Sequence, residues 1–247
     1  MIYEKAQKYT DYHKNHNNSG GPGGLSLAEL LAEKMSIQEG KKLIDIGFFR
    51  GYQTCFLAKE YGVDIVAIDP GGSLFGIEYG IEPLMENARE FGVEKKILGI
   101  KTGVPDTLLP CNYFDYAYTT TCLEMLRHTK GADGYLAALK EIHRIVKKGG
   151  VLGLGEPMCR DVPIPEEIAA CCKEYHFDKC FVTDEETKHA VAEAGFKVLE
   201  YGYCEDAGEW WREHVLYDDP HSDYKKAIES MNNSGWLSFG YVIAIKE

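Results

Sequence analysis

No apolar run in this sequence approaches the roughly 20 residues that a membrane span requires, so a helical membrane protein is excluded. The N-terminus, MIYEKAQKYTDYHKNHNNSGG, has no apolar signal-peptide core, which makes a cytoplasmic protein the expectation. Positive charge is scarce: 27 Lys and Arg stand against 39 Asp and Glu, a net charge of −12. Nucleic acid is therefore not expected as the main partner, because neutralising phosphates needs a basic face. The eight cysteines (55, 111, 122, 159, 171, 172, 180 and 204) include no CxxC spacing, so reduced, mostly buried thiols are expected and no metal. A metal or metalloid site from Cys159, Cys171, Cys172 and Cys180 would have to form without the usual ligand spacing. Internal repeats are also missing. What remains, with 45% hydrophobic and 27% charged residues, is an ordinary globular chain of 247 residues.

The polar arm 1–24 ends in SGGPGG, a flexible turn entering an amphipathic helix at about Ser26 to Met35. KLIDIG follows as a first strand, GFFRGY as a loop, QTCFLAKEY as a helix closed by Gly62, and DIVAID as a second strand. Strand, helix and strand in this order signal a parallel sheet. The rhythm continues with a helix from Glu82 to Phe91, the strands KILGIK and FDYAYT, and a long helix from Gly134 to Val146 ended by KKGG. VLGLGEP, FKVLEYGY and WLSFGYVIAIKE are the last strands, with a helix from Asp184 to Ala194 among them. Two excursions interrupt the alternation, a lid-like segment at about 157–183 with one helix and a helical segment at about 205–235. The expected fold is α/β: a doubly wound, Rossmann-like, mostly parallel seven-stranded sheet, with helices on both faces and an antiparallel last strand. The arm (1–24) and the remainder (25–247) are the two parts.

Asp45 ends the first strand, and Gly47 and Gly51 lie in the loop behind it. Glycine permits a tight turn and a close ligand approach, and this loop feeds a helix N-terminus. The second strand ends in Asp69, where a carboxylate can accept two ribose hydroxyls. Glycine loop, spacing and terminal acid together suggest a nucleotide-type site.

DIGFFRG followed by AIDP resembles motif I and the following acidic motif of class I S-adenosylmethionine (SAM)-dependent methyltransferases. FDYAYTTTCLEML, HRIVKKGGVLGLGEP and DEETKHAVAEAGFKVLEY resemble, in the family's order, the later motifs of its small-molecule branch. The resemblance covers roughly residues 20–204 and the terminal strand, and the GGPGG before the first helix has counterparts in arms that fold over the cofactor. It implies SAM as cofactor, with S-adenosyl-L-homocysteine as product, bound by Asp45, Gly47, Phe49, Gly51, Asp69, Pro70, Val104 and Thr119. It also implies transfer of a methyl group to a small-molecule acceptor by in-line displacement. The usual D/E-x-G-x-G-x-G is broken here. Phe49 takes the middle glycine position, so its ring must turn away from the cofactor or pack beside the methionine part. Arg50 either meets the cofactor carboxylate or faces solvent, and solvent is the expectation. Val104 and Pro105 stand where the family commonly has an adenine-binding acid, with Asp106 as the alternative.

On the acceptor side, Glu156, Thr121 and Glu124 at the ends of the fourth and fifth strands are the candidate catalytic groups, Glu156 foremost because it precedes Pro157 at the ligand edge. Each has a structural alternative, a strand-end hydroxyl for Thr121 and a solvated carboxylate for the two acids. Tyr12, Trp210 and Trp211 are the candidate substrate-binding residues. Adjacent tryptophans on a helix point about 100° apart, so at most one faces a given pocket. Aromatics near Glu205, Asp206 and Glu209 would suit a cationic amine or sulfonium. Tyr217 belongs to the same aromatic set. His13, His16, His128 and His214 are expected at the surface. The arm and the tryptophan excursion should close over the same sheet edge and exclude water. Two rival functions stand beside this one, a thiol or metalloid methyltransferase using the clustered cysteines and a non-catalytic SAM-binding protein. The sequence leaves a homodimer open.

Overall fold

In the computed structural model, which describes residues 2–74, 76–216 and 222–247, the apolar runs form one seven-stranded sheet. Its first strands are β1 (Lys42–Ile46) and β2 (Asp64–Ile68). A separate hairpin follows, β3 (Gly72–Leu74) and β4 (Ile77–Tyr79). The sheet resumes with β5 (Ile97–Ile100), β6 (Phe114–Thr120), β7 (Val146–Cys159), β8 (Lys197–Tyr203) and β9 (Leu237–Ile245). The spatial order is β5-β2-β1-β6-β7-β9-β8, and β9 alone runs antiparallel to its neighbours. The expected architecture is therefore present, including the reversed last strand.

The helices are α1 (Tyr12–Asn18), α2 (Gly24–Lys34), α3 (Tyr52–Tyr61), α4 (Ile81–Phe91) and α5 (Leu123–Ile145). After them come α6 (Glu166–Glu174), α7 (Phe177–Cys180), α8 (Asp184–Glu193), α9 (Ala207–Leu216) and α10 (Asp223–Asn233). Strand residues alternate between two cores, which is why the strands read as continuous apolar runs. Ile44, Ile46, Ala117 and Leu152 face the core shared with α5 and α8. Leu43, Ile65, Ala67 and Tyr118 face the core shared with α2, α3, α9 and α10.

Four features depart from the sequence reading. Helix α5 begins at Leu123 rather than Gly134, and the break that hid its first part is Gly131, at φ 69° and ψ −169°. The β3–β4 hairpin was not foreseen. The segment 157–183 is a wall rather than a lid: β7 continues through Cys159, and α6 and α7 bury Ile168, Cys172, Phe177 and Cys180 in the first core. The arm, to which the sequence reading gave no secondary structure, holds two short elements. It forms a 3-10 turn (Ala6–Lys8) and α1, capped by the Asp11 side chain accepting from the Lys14 N–H. The Ala6 and Lys5 N–H groups donate to Glu29 at 2.7 and 3.1 Å, and Tyr3 donates to Asp206 at 2.6 Å.

Candidate active site

The loop between β1 and α3 keeps its turn despite losing a glycine. Gly47, Phe49 and Gly51 all have positive φ, at 79°, 55° and 77°. A phenylalanine in the left-handed region is strained, on the order of 1–3 kcal/mol, and persists only where its surroundings hold it. Here they do. The Phe49 N–H donates to Asp69 Oδ2 at 3.1 Å, its carbonyl accepts from the Gly80 N–H at 3.0 Å, and its ring lies 5.4 Å from that of Tyr79 on β4. The ring thus packs on the hairpin. Arg50 does not face solvent as expected. Its Nε donates to Asn18 Oδ1 at 2.9 Å and its Nη1 to the Glu78 carbonyl at 2.7 Å, tying arm and hairpin to the loop.

Gly47 and Gly51 are needed for a reason other than ligand approach. A Cβ on Gly47 would meet Cys122 Sγ at 2.2 Å, and one on Gly51 would meet Leu84 at 2.1 Å. A branched residue at Gly51 would therefore strike the core beside α4 rather than only block a cofactor.

Asp69 is buried, and its oxygens accept from Phe49 N–H at 3.1 Å and Gly71 N–H at 2.7 Å. Burial raises its pKa, partly offset by those two backbone bonds. Asp45 lies beneath α3, where Thr54 Oγ1 donates to it at 2.6 Å. Burial pushes it up to about 7, with the nearby Asp69 adding to the rise. Thr119 turns its hydroxyl to the Ile46 carbonyl at 3.0 Å, between the strands. Pro70 is exposed, Val104 is half-buried against the second core, and Asp106 is exposed.

These residues fit SAM. The loop keeps a glycine-type backbone with its bulky ring packed on the hairpin. Each Asp69 oxygen carries one backbone donor and has a lone pair left for a ribose hydroxyl. When bound, SAM supplies a sulfonium methyl open to in-line displacement.

Beyond the loop, at the carboxyl ends of β6 and β7, buried polar atoms lack partners. Thr121 Oγ1, Glu124 Oε2 and Glu156 Oε2 have none among the described residues. Thr121 is also a β-branched residue at φ 45°, and its N–H donates to the Gly155 carbonyl at 3.0 Å, next to Glu156. Glu156 Oε1, in contrast, accepts from Tyr135 at 2.8 Å, Arg127 at 3.2 Å and Thr187 at 3.4 Å. Burial, then the charge of Glu156, pushes Glu124 up to about 8. Neither acid is solvated, so the bland alternative for both is wrong.

A cavity of about 210 Å³ lies between the arm, the start of α2 and α9. Tyr3, Tyr9, His16, Trp210, Glu213 and His214 line it, and Tyr12 borders it while mostly exposed. Trp211 does not reach it: its indole N–H donates to the Ser238 carbonyl at 3.0 Å inside the core. His214 is not at the surface as expected. Its Nδ1 is buried without a partner among the described residues, and burial beside His16, ring centroids 4.9 Å apart, pushes its pKa down to about 3. Gly21 joins the cavity to the strand ends, because it borders the cavity and packs on the Thr121 side chain. Tyr217 lies outside the described residues.

Among the described residues, no group of three His, Cys, Asp or Glu could hold a metal ion. Burial raises the thiols of the cysteine-rich segment, Cys159 to about 11 and Cys172 and Cys180 to about 12. None is a ready thiolate at neutral pH. No described helix is long and apolar enough to cross a membrane.

Arg127, Tyr135, Gln53 and Asn18 escaped the sequence reading. Arg127 stands 29 positions before the acid it pairs with, and no local spacing announces such a contact.

A family model described as "Methyltransferase domain" matches residues 25–201. Sterol 24-C-methyltransferase erg6 of Aspergillus fumigatus is 29% identical over 155 residues, 62% of this chain and 38% of that protein. The chain spans less than two thirds of the length of the curated relatives it matches. Among solved structures, a protein described as a sarcosine dimethylglycine methyltransferase from Galdieria sulphuraria superposes with TM-score 0.74 at 15% identity, over 99% of this chain and 98% of its own. Geranyl diphosphate C-methyltransferase from Streptomyces coelicolor A3(2) gives TM-score 0.69 at 14% identity, over 91% of this chain and 79% of its own. At these identities the two structures establish the shared fold. The family match spans well over half of the chain, so the chain belongs to the methyltransferase domain family.

Proposed function

We propose that the acceptor is a small amine that arrives as a cation in the cavity between arm and α9 and is methylated at the ends of β6 and β7. The cavity carries this reading. Its walls are tyrosines and Trp210 beside the Glu213 carboxylate, an environment that attracts an ammonium group through ring faces and charge. Its size narrows the choice. At about 210 Å³ it has room for a small cation. The fold accommodates donors and acceptors of several kinds, so it does not choose among them. Asp69 would hold the cofactor ribose, and Thr121, on which Gly21 of the cavity wall packs, would stand nearest the nucleophile, with Glu124 and Glu156 buried behind it. A thiol acceptor handled by protein cysteines is disfavoured by the raised thiols of Cys159, Cys172 and Cys180.

The test is release of S-adenosylhomocysteine with a panel of small amines, small phenols, thiols, arsenite and a prenylated quinol. Turnover is expected with the amines. Trp210→Ala should raise the KM for the best amine about 2- to 30-fold, the range of a cation–π contact, with little change in the SAM affinity. Turnover confined to the prenylated quinol or to arsenite would overturn the amine reading.

A further inference from the structure

We infer that the cavity between arm and α9 selects amines that carry no anionic group, and that Glu213 on α9 sets this selection. The inference rests on the amine reading above and narrows it to a charge class. Among the described lining residues there is no lysine or arginine, and Glu213 is the only carboxylate. The elements that build the wall do carry cations, and each of these is engaged elsewhere. Lys5, Lys8 and Lys14 of the arm pair with Glu33, Glu60 and Glu90. Lys34 of α2 pairs with Glu200, and Arg212 of α9 with Glu209. Glu213 itself has no ion pair with a described residue. Burial, then the neighbouring charge of Glu209, raises its pKa, as expected of a carboxylate short of compensation.

The rest of the wall is made of rings rather than charges. Burial, then hydrogen bonds to Asp206 and Glu60, holds Tyr3 and Tyr9 above the ordinary phenol range, so both stay neutral. His214 is a neutral ring as well, because burial pushes its pKa down, and His16 faces it from the arm. An ammonium entering this space meets ring faces and one carboxylate. A molecule that also bears a carboxylate or a phosphate brings an anion for which the wall holds no partner. Taking that anion out of water unpaired is costly, and the like charge of Glu213 adds to the cost. Selection of this kind comes from what a site refuses as much as from what it attracts. Amino acids and phosphorylated amines fall in the refused class. Alkylamines and arylalkylamines, with or without hydroxyl or amide groups, fall in the accepted one.

The experiment compares amines of equal length that differ at the far end: pentylamine, γ-aminobutyramide and γ-aminobutyrate. All carry the ammonium, and the amide keeps the bulk of the carboxylate without its charge. Calorimetry on enzyme loaded with S-adenosylhomocysteine gives Kd, and release of S-adenosylhomocysteine from SAM gives turnover. Both are run at about pH 8.5, where a histidine of ordinary pKa is neutral. Pentylamine and the amide should bind alike, and about tenfold or more tighter than γ-aminobutyrate, the scale of one like-charge contact at partial exposure. Glu213 is exposed, so its variants are expected to fold. Glu213→Gln should weaken pentylamine about 3- to 10-fold and shrink its advantage over γ-aminobutyrate by a similar factor. Glu213→Lys should invert the order. Added salt should narrow the wild-type advantage and leave the ratio of pentylamine to amide unchanged. Equal binding of pentylamine and γ-aminobutyrate in wild type would overturn the inference, as would an unchanged advantage in Glu213→Gln or no binding of any of them. The expected selectivity in binding without methylation of any amine would instead sink the amine reading alone. Methylation of amines regardless of their end group would sink the inference alone.

Discussion

Two pairs of buried acids sit at the ends of neighbouring strands, and they are stabilised in different ways. Asp45 and Asp69 close β1 and β2, while Glu156 lies near the end of β7 and Glu124 in the first turn of α5, after β6. In each pair one acid is pushed up by burial and by its neighbour's charge, Asp45 to about 7 and Glu124 to about 8. The first pair has no cation among the described residues. It is held by a threonine hydroxyl and two backbone N–H groups. The second pair has Arg127, a tyrosine and a second threonine, all on one oxygen of one acid. Every partnerless buried acid oxygen among the described residues belongs to the second pair. A self-satisfied site suits a ligand that is always the same, such as a cofactor. A site with one fixed cation for two acids keeps the second acid protonated, as the raised pKa of Glu124 shows.

The largest expected effect lies at Asp45. A carboxyl with a folded-state pKa near 7 and an ordinary value of 3.8 destabilises the fold as pH rises. Below about pH 4 it is protonated in both states and costs nothing. Between about pH 4 and 7 the unfolded chain ionises while the folded one holds its proton, so stability falls across that window and levels off above it. The full distance from 3.8 to about 7 corresponds to about 4 kcal/mol as an upper limit. Asp45→Asn should therefore gain stability relative to wild type as pH rises, by about 2–4 kcal/mol at pH 8 and little at pH 4. Thermal or urea denaturation at the two pH values reads it. An advantage of the same size at both would mean that Asp45 is ionised in the fold and that the two pairs are not alike.

Asp69 comes next in size. Asp69→Ala removes the acceptor of both the Phe49 and Gly71 N–H groups and the expected ribose partner. The loss should cost about 1–3 kcal/mol of SAM binding, or roughly 5- to 150-fold in Kd by calorimetry. Unchanged affinity would take Asp69 out of the cofactor site and leave it as a brace for the strained Phe49 turn.

The order of strands, the Gly47–Gly51 loop and Asp69 were legible because each is written in contiguous residues, as a period of apolar positions or a short spacing. Glu156, Thr121 and Glu124 were legible as a strand-end acid, a strand-end hydroxyl and an acid opening a helix, but their burial and bare oxygens were not. Those depend on α5 reaching back to Leu123 across the Gly131 break, which no propensity announces. The placements of Phe49 and Arg50 depend on the β3–β4 hairpin, whose three-residue strands give too short an alternation to read as sheet. The two tryptophans differ for a similar reason. Their sequence separation allowed one to face the cavity, but only the packing of α9 on β9 decides that it is Trp210.

The smallest expected effect tests what joins the two pairs, the arm that crosses between them. Its SGGPGG turn is clamped by one side chain: Gln53 Oε1 accepts from the Gly20 N–H at 3.1 Å, and Gln53 Nε2 donates to the Gly24 carbonyl at 3.0 Å. Gly20 approaches Phe49 and Thr120, and Gly21 lies on Thr121, so this turn touches the cofactor loop and the acceptor end together. Gln53→Ala removes both bonds and leaves the turn's polar groups to water. Each bond contributes about 0.5–1.5 kcal/mol. Because the arm can open locally while the sheet stays folded, the loss should appear in local opening rather than in global unfolding. Proteolytic cleavage between Asn17 and Gly24 should accelerate about fivefold or more with a nearly unchanged melting temperature, since one or two kcal/mol alters an open population by that order. SAM should slow cleavage in wild type if the turn closes over the cofactor. Equal cleavage of wild type and Gln53→Ala would show that Arg50 and Asn18, rather than Gln53, hold the arm against the two acid pairs.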